Sequence, residues 1–352
     1  MGNWRSNVRV CDPYTPGEQP KIKNIIKLNT NENPYPPAPE AARALRAIDT
    51  DLLRRYPDPT CSTLVEAIAD RYGLDKEEVF VGVGSDDVLA MSFMTFFNSS
   101  KPVLFADITY SFYDVWAKML RIPYEQIPLD EDWSIVPEDY LRENGGIVIA
   151  NPNAPTGKLL AVEKIEQIIA ANPDSVVIVD EAYIDFGGTS VLPLIHKYEN
   201  LLVVQTFSKS RSLAGLRIGM AFGCKELIHY LETVKYAFNS YTMNTAALAA
   251  GAASVRNEAY FRETTGKIIA TRERVKPLLR ELGFSFEDSM SNFIFARHES
   301  LPAEELFEAL KREGIFVRHF SAERIRNFLR ITIGTDQEMD TLLDFLRRYL
   351  KR

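Results

Sequence analysis

The sequence predicts an α/β fold: a mostly parallel sheet with helices on both faces, an extended N-terminal arm before it and a smaller α+β domain after it. Three observations lead there. Between about residues 60 and 225 short apolar runs alternate with segments of helical period; beyond about 260 that alternation stops; and the first 38 residues are rich in Pro and Asn. Strand–helix alternation of this kind implies a sheet covered on both faces. At 352 residues the chain is longer than single hydrophobic cores usually grow, so two domains are expected.

Taken in order, residues 1–38, with PYTPGEQP and NTNENPYPPAP, read as an arm that is neither helix nor central strand. A large domain follows over 39–260. Its runs at 79–83, 103–105, 147–150, 176–179, 201–204 and 218–222 are short, continuously apolar and rich in Val and Ile, as strands buried on both faces are. Helices are expected at 63–72, 86–97, 112–120 and 162–171. Thr63 and Glu66 have capping-box spacing and support the first start. A small domain over 261–352 begins within a long polar helix (258–282). It continues with strands at 292–296, 315–318 and 328–333 and helices at 303–313 and 338–350.

Composition narrows the function. At 46% hydrophobic and 25% charged residues this is an ordinary globular chain, and a net charge of −7 gives no general attraction to nucleic acid or acidic lipid. Any bound anion must be held by local groups. Cys11, Cys61 and Cys224 are too dispersed for a disulfide framework or zinc site, and the four histidines form no ligand pair, so no metal is expected. No apolar run approaches the ~20 residues of a membrane span, and residues 1–14 lack a signal-peptide core. A reducing cytoplasm is the expected setting.

In sheets of this kind ligands sit beyond the carboxyl ends of the strands, so residues just after each run carry the chemistry. Thr206–Gly219, TFSKSRSLAGLRIG, places Lys209 there, with Ser208 and Arg217 near it. A lysine at the mouth of a sheet can condense with a carbonyl cofactor, and a guanidinium suits a phosphate. A surface lysine is the plain alternative. VVIVDEAY ends in Asp180 and Tyr183. An Asp opposite a pyridine nitrogen would keep that ring protonated and a good electron sink. The same run also resembles a Walker B strand, but GxxxxGK[ST] is absent, which excludes a phosphate-loop NTPase. ANPNAPTG sets Asn153 in a rigid turn. VGVGSDD leads from strand to helix, where glycines and the helix N-terminus could cradle a phosphate. With Asp87 at its last position it is not a complete dinucleotide fingerprint.

These four sites, each at a strand end and in this order, resemble the fold-type I aminotransferases, most closely the histidinol-phosphate branch. The resemblance runs nearly end to end, through PYTPGEQP, LNTNENP, RYPDP, GSD, TYSFY, NPNAPTG, DEAY, SK, LAGLRIG and FLRITIGT. It implies pyridoxal 5′-phosphate as cofactor, carried by Lys209 as a Schiff base, with the lysine then moving the substrate's α-proton. Asp180 would pair with the pyridinium nitrogen. Tyr183 and Asn153 would contact the phenolic oxygen, and Tyr110 would stack on the ring. Ser85, Asp86, Ser208 and Arg217 would surround the phosphate, with Tyr56 reaching it from a neighbouring subunit of a homodimer. On the substrate side the resemblance implies Arg330 as the anion clamp, completed by Arg318, Tyr14 and Asn31.

Three positions depart from the family pattern: Ala154 replaces the second Asn of NPNNPTG, Val83 replaces the Asn of GNGSD, and Ile108 replaces the Pro of PTY. The implied reaction is ping-pong transamination of histidinol phosphate with 2-oxoglutarate and glutamate. Aromatic-amino-acid transamination, threonine-phosphate decarboxylation and, from another class, nicotinamide-dependent oxidoreduction remain as alternatives.

Overall fold

Seven strands form the central sheet of the computed structural model, which describes residues 4–21 and 24–351. They are β2 (Val79–Gly82), β3 (Val103–Ala106), β4 (Tyr124–Ile127), β5 (Gly146–Ala150), β6 (Val177–Asp180), β7 (Leu201–Thr206) and β8 (Gly219–Phe222); β1 (Ile26–Lys27) lies in the arm. Their order is β2-β8-β7-β6-β5-β3-β4, and every pairing is parallel except the two made by β8. The expected strands lie within a residue or two of these bounds. The extra strand, β4, was hidden by its polar residues Glu125 and Gln126, which an edge strand exposes.

The strands bury alternate residues on opposite faces, and both faces are apolar. Ile147 and Ile149 of β5 join one core with Leu201 and Val203 of β7, while Val148, Leu202 and Val204 join the other. The first face is covered by α2 (Ser62–Tyr72), α5 (Val162–Ala171) and α7 (Thr245–Arg256). The second is covered by α3 (Ser85–Phe96), α4 (Phe112–Leu120) and α6 (Lys225–Phe238). Helix α1 (Pro39–Arg46) packs through Ala41 against Ala250 of α7.

The start of α2 corrects the capping-box expectation. The helix begins at Ser62, Cys61 supplies no side-chain cap, and Asp58 does the work instead. Its carboxylate accepts from the backbone N–H and hydroxyl of both Thr60 and Ser62. These bonds hold its pKa down to about 2 despite partial burial. A capping box does occur at the last helix, where Thr335 and Glu338 exchange bonds.

The second unit starts with α8 (Glu258–Glu281) and continues with β9 (Phe284–Ser285), β10 (Phe293–His298), α9 (Ala303–Arg312), β11 (Ile315–Phe316), β12 (Arg318–His319), β13 (Leu329–Thr332) and α10 (Asp336–Leu350). Strands β12-β13-β10-β9 make an antiparallel sheet whose core combines Ile268, Ile294, Leu310, Ile331 and Leu342. The arm is not wholly separate from this unit. β1 pairs in parallel with β11, and Leu28 is buried in the same core. No helix among the described residues is long and apolar enough to cross a membrane.

Candidate active site

The carboxyl ends of β5, β6 and β7 open onto a cavity of about 220 Å³. Among its lining residues are Ser85, Asp86, Tyr110, Asp180, Tyr183, Ser208, Lys209 and Arg217. Eight of the residues singled out in the sequence therefore share one space, and the reason is topological. Parallel strands all point their carboxyl ends the same way, and each of these side chains sits at or just beyond one, except Arg217, which precedes the amino end of the antiparallel β8.

On one side of the cavity lies an anion cradle. Helix α3 starts after Gly84, which has no side chain to cap its first N–H groups, and Ser85 and Asp86 of its first turn line the cavity. Arg217 lies beside this helix end, its Nη2 2.9 Å from Asp86 Oδ2 and its Nη1 3.5 Å from Ser208 Oγ. Close approach here requires glycine. A Cβ at Gly219 would overlap the backbone of Gly84 and Ser85, and one at Gly84, whose φ is +88°, would meet the Arg217 guanidinium. Asp87 does not face the cradle; its carboxylate folds back to accept from the Val83 N–H at 2.9 Å.

At the floor is Asp180, which is 5% exposed. Desolvation pushes its pKa up to about 6, opposed by two hydrogen bonds and by the charge of Lys209. Tyr113 donates to Oδ2 at 2.7 Å and the Ala182 N–H to Oδ1 at 3.1 Å. Tyr110 lines the wall, donates to Asp86 Oδ1 at 2.8 Å, and is backed by Tyr113 edge-on at 5.7 Å.

Lys209 is gripped at both ends. Its Nζ donates to Thr30 O at 3.1 Å and lies 5.9 Å from the centre of the Tyr183 ring. Its own carbonyl accepts from Asn33 Nδ2 at 3.0 Å. The next residue, Ser210, donates to the half-buried Asp185 at 2.5 Å. Asn31 donates to the Tyr183 hydroxyl at 2.9 Å and is held by Thr332 of β13. The arm segment 28–33 thus bridges the lysine and the small domain.

The remaining substrate-side residues stand back from the cavity lining. Arg330 packs over Phe293 at 5.3 Å, donates to Asn29 O at 3.2 Å, and has the hydroxyls of Tyr183, Tyr14 and Tyr110 in its electrostatic surroundings. Burial lowers its pKa below the usual guanidinium value. Arg318 bonds the carbonyls of Thr15 and Pro16 in the arm, and Tyr14 stacks on Phe112 at 4.2 Å.

Two expected cofactor contacts lie elsewhere. Asn153 turns away from the cavity and is 4% exposed. Its amide donates to Ile108 O and Thr156 Oγ1, and its oxygen accepts from Thr109, so the side chain is fully used in fixing the turn. Its neighbours Pro152 and Ala154 line the cavity instead. Tyr56 is 81% exposed and stacks on Tyr241 at 4.6 Å, outside the cavity of this chain. The sequence reading overlooked Tyr113, Asn33 and Glu32. Tyr113 lay in the same TYSFY string as Tyr110, in the first turn of α4, while Tyr110 precedes that helix.

The family model for aminotransferase class I and II matches residues 23–346. The chain belongs to this family. Histidinol-phosphate aminotransferases from Lactococcus lactis subsp. cremoris and Clostridium beijerinckii are 50% and 52% identical to it; the matches cover 99% and 98% of this chain and 98% and 96% of theirs. Among solved structures it is similar to the histidinol-phosphate aminotransferase of Clostridium acetobutylicum (TM-score 0.86, 23% identity, 93% of this chain and 99% of that one). It is similar also to the L-threonine-O-3-phosphate decarboxylase of Porphyromonas gingivalis (TM-score 0.78, 22% identity, 93% and 100%). At those identities the two structures establish the fold alone, and that fold hosts both reactions. The chain is an enzyme of the pyridoxal-phosphate-dependent class. The donor set fits the cofactor, with a guanidinium and helix end for its phosphate, a buried carboxylate for its ring nitrogen and an amine between them.

Proposed function

We propose that this aminotransferase moves the amino group of histidinol phosphate to 2-oxoglutarate, and that the full-length identity of about half to histidinol-phosphate aminotransferases carries this reading. In this reading Arg217, Ser208 and the start of α3 hold the cofactor phosphate. Asp180 faces the ring nitrogen, and Tyr110 flanks the ring. When bound, pyridoxal 5′-phosphate supplies a carbonyl for the amine and a ring that accepts electrons from the breaking C–H bond.

The chain's own part is to orient and to move a proton. Lys209 Nζ would carry the substrate's proton from the α-carbon to the cofactor's C4′ in one half-reaction and back in the other. Tyr183, its hydroxyl fixed by Asn31, sits beside that amine. Arg330 and Arg318 together take the substrate anion, which is a phosphate in one half-reaction and a carboxylate in the other. Because one site serves both halves, steady-state kinetics are ping-pong.

Tyr56 fits a homodimer in which it reaches the partner's phosphate site, since it stands exposed on the surface against Tyr241 while the cavity of its own chain lies elsewhere. Mixing Lys209→Ala with Tyr56→Phe chains would then regenerate one intact site per hybrid dimer.

The deciding experiment is a single-turnover absorbance measurement on cofactor-loaded protein with histidinol phosphate, phenylalanine and threonine phosphate in turn. Fast bleaching of the cofactor band with histidinol phosphate is expected. A response to phenylalanine alone would move the substrate to the aromatic class, and carbon dioxide release from threonine phosphate would make the enzyme a decarboxylase.

A further inference from the structure

Tyr113 is 0% exposed, lies on α4 and donates to Asp180 Oδ2 at 2.7 Å. A buried phenol seldom sits against a carboxylate for packing alone, because its hydroxyl must be satisfied there. We propose that Tyr113 is a positioning residue for the reaction: its hydroxyl orients Asp180 and holds it ionised opposite the cofactor's ring nitrogen.

Geometry supports this in three ways. Asp180 has one fixed donor on each oxygen, the Ala182 N–H on Oδ1 and Tyr113 on Oδ2, so the carboxylate plane cannot turn and its remaining lone pairs serve the cavity it lines. The Tyr113 ring is itself locked, edge-on to Phe105 at 5.8 Å and to Tyr110 at 5.7 Å. It therefore ties the ring-flanking Tyr110 and the carboxylate into one rigid unit. Finally, the phenol remains a donor at every working pH, since burial and the neighbouring Asp180 push its pKa well above 10.

The charges around Asp180 give this bond something to do. Burial and the carboxylate of Asp86 on α3 favour the neutral acid; Lys209, Tyr113 and the Ala182 N–H favour the anion. Of these, the Tyr113 hydrogen bond favours the anion most. Without it, the acid would hold its proton closer to neutrality and pair less well with a ring nitrogen that must stay protonated.

The inference rests on the cofactor reading above, and the test separates the two. Wild type, Tyr113→Phe, Asp180→Asn and the double variant are titrated with pyridoxal 5′-phosphate, and the visible band of each loaded protein is followed from pH 5 to 9. Losing a hydrogen bond to a charged group should weaken cofactor binding in Tyr113→Phe by about ten- to a hundredfold. It should shift the pH dependence of the band and slow the glutamate half-reaction while leaving its apparent KM within about twofold. In the Asp180→Asn background the same change should alter binding by less than about twofold, because partners in one network are not additive.

Tyr113→His, which keeps a donor, should recover part of the loss and covers the case in which the phenylalanine variant folds poorly. Equal weakening in both backgrounds, or an unshifted band in Tyr113→Phe, would overturn the positioning role. Failure of wild type to take up cofactor would overturn the functional reading with it.

Discussion

Arg318 and Arg330 face one another across the antiparallel ladder of β12 and β13, so two guanidinium-bearing residues start from adjacent positions on one sheet. Like charges placed opposite each other destabilise a sheet, and the charge of Arg318 adds to the burial that lowers the pKa of Arg330. Such an arrangement is tolerable where an anion comes between them. Here the hydroxyls of Tyr14 and Tyr183 stand nearby and the Asn29 carbonyl accepts from Arg330.

The consequence is a kinetic prediction. Arg330→Lys keeps the charge but loses the planar pair of donors. It should lower kcat/KM by about ten- to a hundredfold for the amino donor and the oxo acid alike, most of it in KM. Arg318→Ala should act mainly on the phosphate-bearing donor, and through loosening of the arm at Thr15 and Pro16. Steady-state kinetics with both substrates check this; unchanged KM values in Arg330→Lys would remove it from the substrate site.

A second prediction concerns pH. Burial raises the pKa of Glu181 from 4.5 to about 7 and that of Asp180 from 3.8 to about 6. For a carboxylate raised in the folded state, the native chain binds more protons than the unfolded chain between the two values, so stability falls as pH rises through that window. The cofactor-free protein should therefore lose stability between pH 5 and pH 8, with about 2–3 kcal/mol of the change assigned to Glu181. Glu181 is the cleaner probe, since it bonds Ser190, Gln205 and the Val191 N–H and does not line the cavity. Chemical denaturation of wild type and Glu181→Gln across this range measures the difference in slope, and parallel curves would refute the assignment.

A third follows from the anion cradle. Gly219 is paired with Gly82 in the β2–β8 ladder, and any side chain there runs into the backbone of Gly84 and Ser85. Gly219→Ala must push the start of α3 away from Arg217. Overpacking of this kind costs about 1–3 kcal/mol of stability. The sharper signature is weaker uptake of pyridoxal 5′-phosphate than of pyridoxal, which has no phosphate to seat. Equal loss for both would mean that the strain is spread through the sheet.

How much of this was legible in the sequence differs by element, for physical reasons. The buried parallel strands announce themselves because both faces are apolar, and the residues after them are brought together by strand direction alone. The edge strand β4 and the helices α6 and α7 were missed. Tyr124–Ile127 alternates weakly, and Thr245–Arg256 is mostly alanine and small residues with little periodicity to read. The start of α2 went wrong because Asp58 caps from four residues before Ser62 across a tight turn, beyond the spacing a capping box uses. Arm residues such as Asn33 were unreadable as lysine partners, since nothing local tells that residue 33 meets residue 209.

Asn153 is where motif reading and geometry part, and it yields the last prediction. Ala154 stands where the family pattern has a second Asn, and the surviving Asn153 spends its donors on Ile108 O and Thr156 and its acceptor on Thr109. A buried amide satisfied in this way stabilises the turn between β5 and α5, and has no free donor to offer a ligand oxygen. Asn153→Ala should therefore act on stability, by about 1–3 kcal/mol for the carbonyl and hydroxyls left unpaired. The cofactor's absorption maximum should stay where it is, since the contacts of Tyr183 with Asn31 and of Asp180 with Tyr113 are untouched. Ala154→Asn, placed on the cavity wall, should do the reverse: it should shift the absorption of the bound cofactor while barely moving the denaturation midpoint. If Asn153→Ala instead shifts the spectrum at unchanged stability, the side chain must swing into the cavity when the cofactor binds, and the turn is looser than its hydrogen bonds imply.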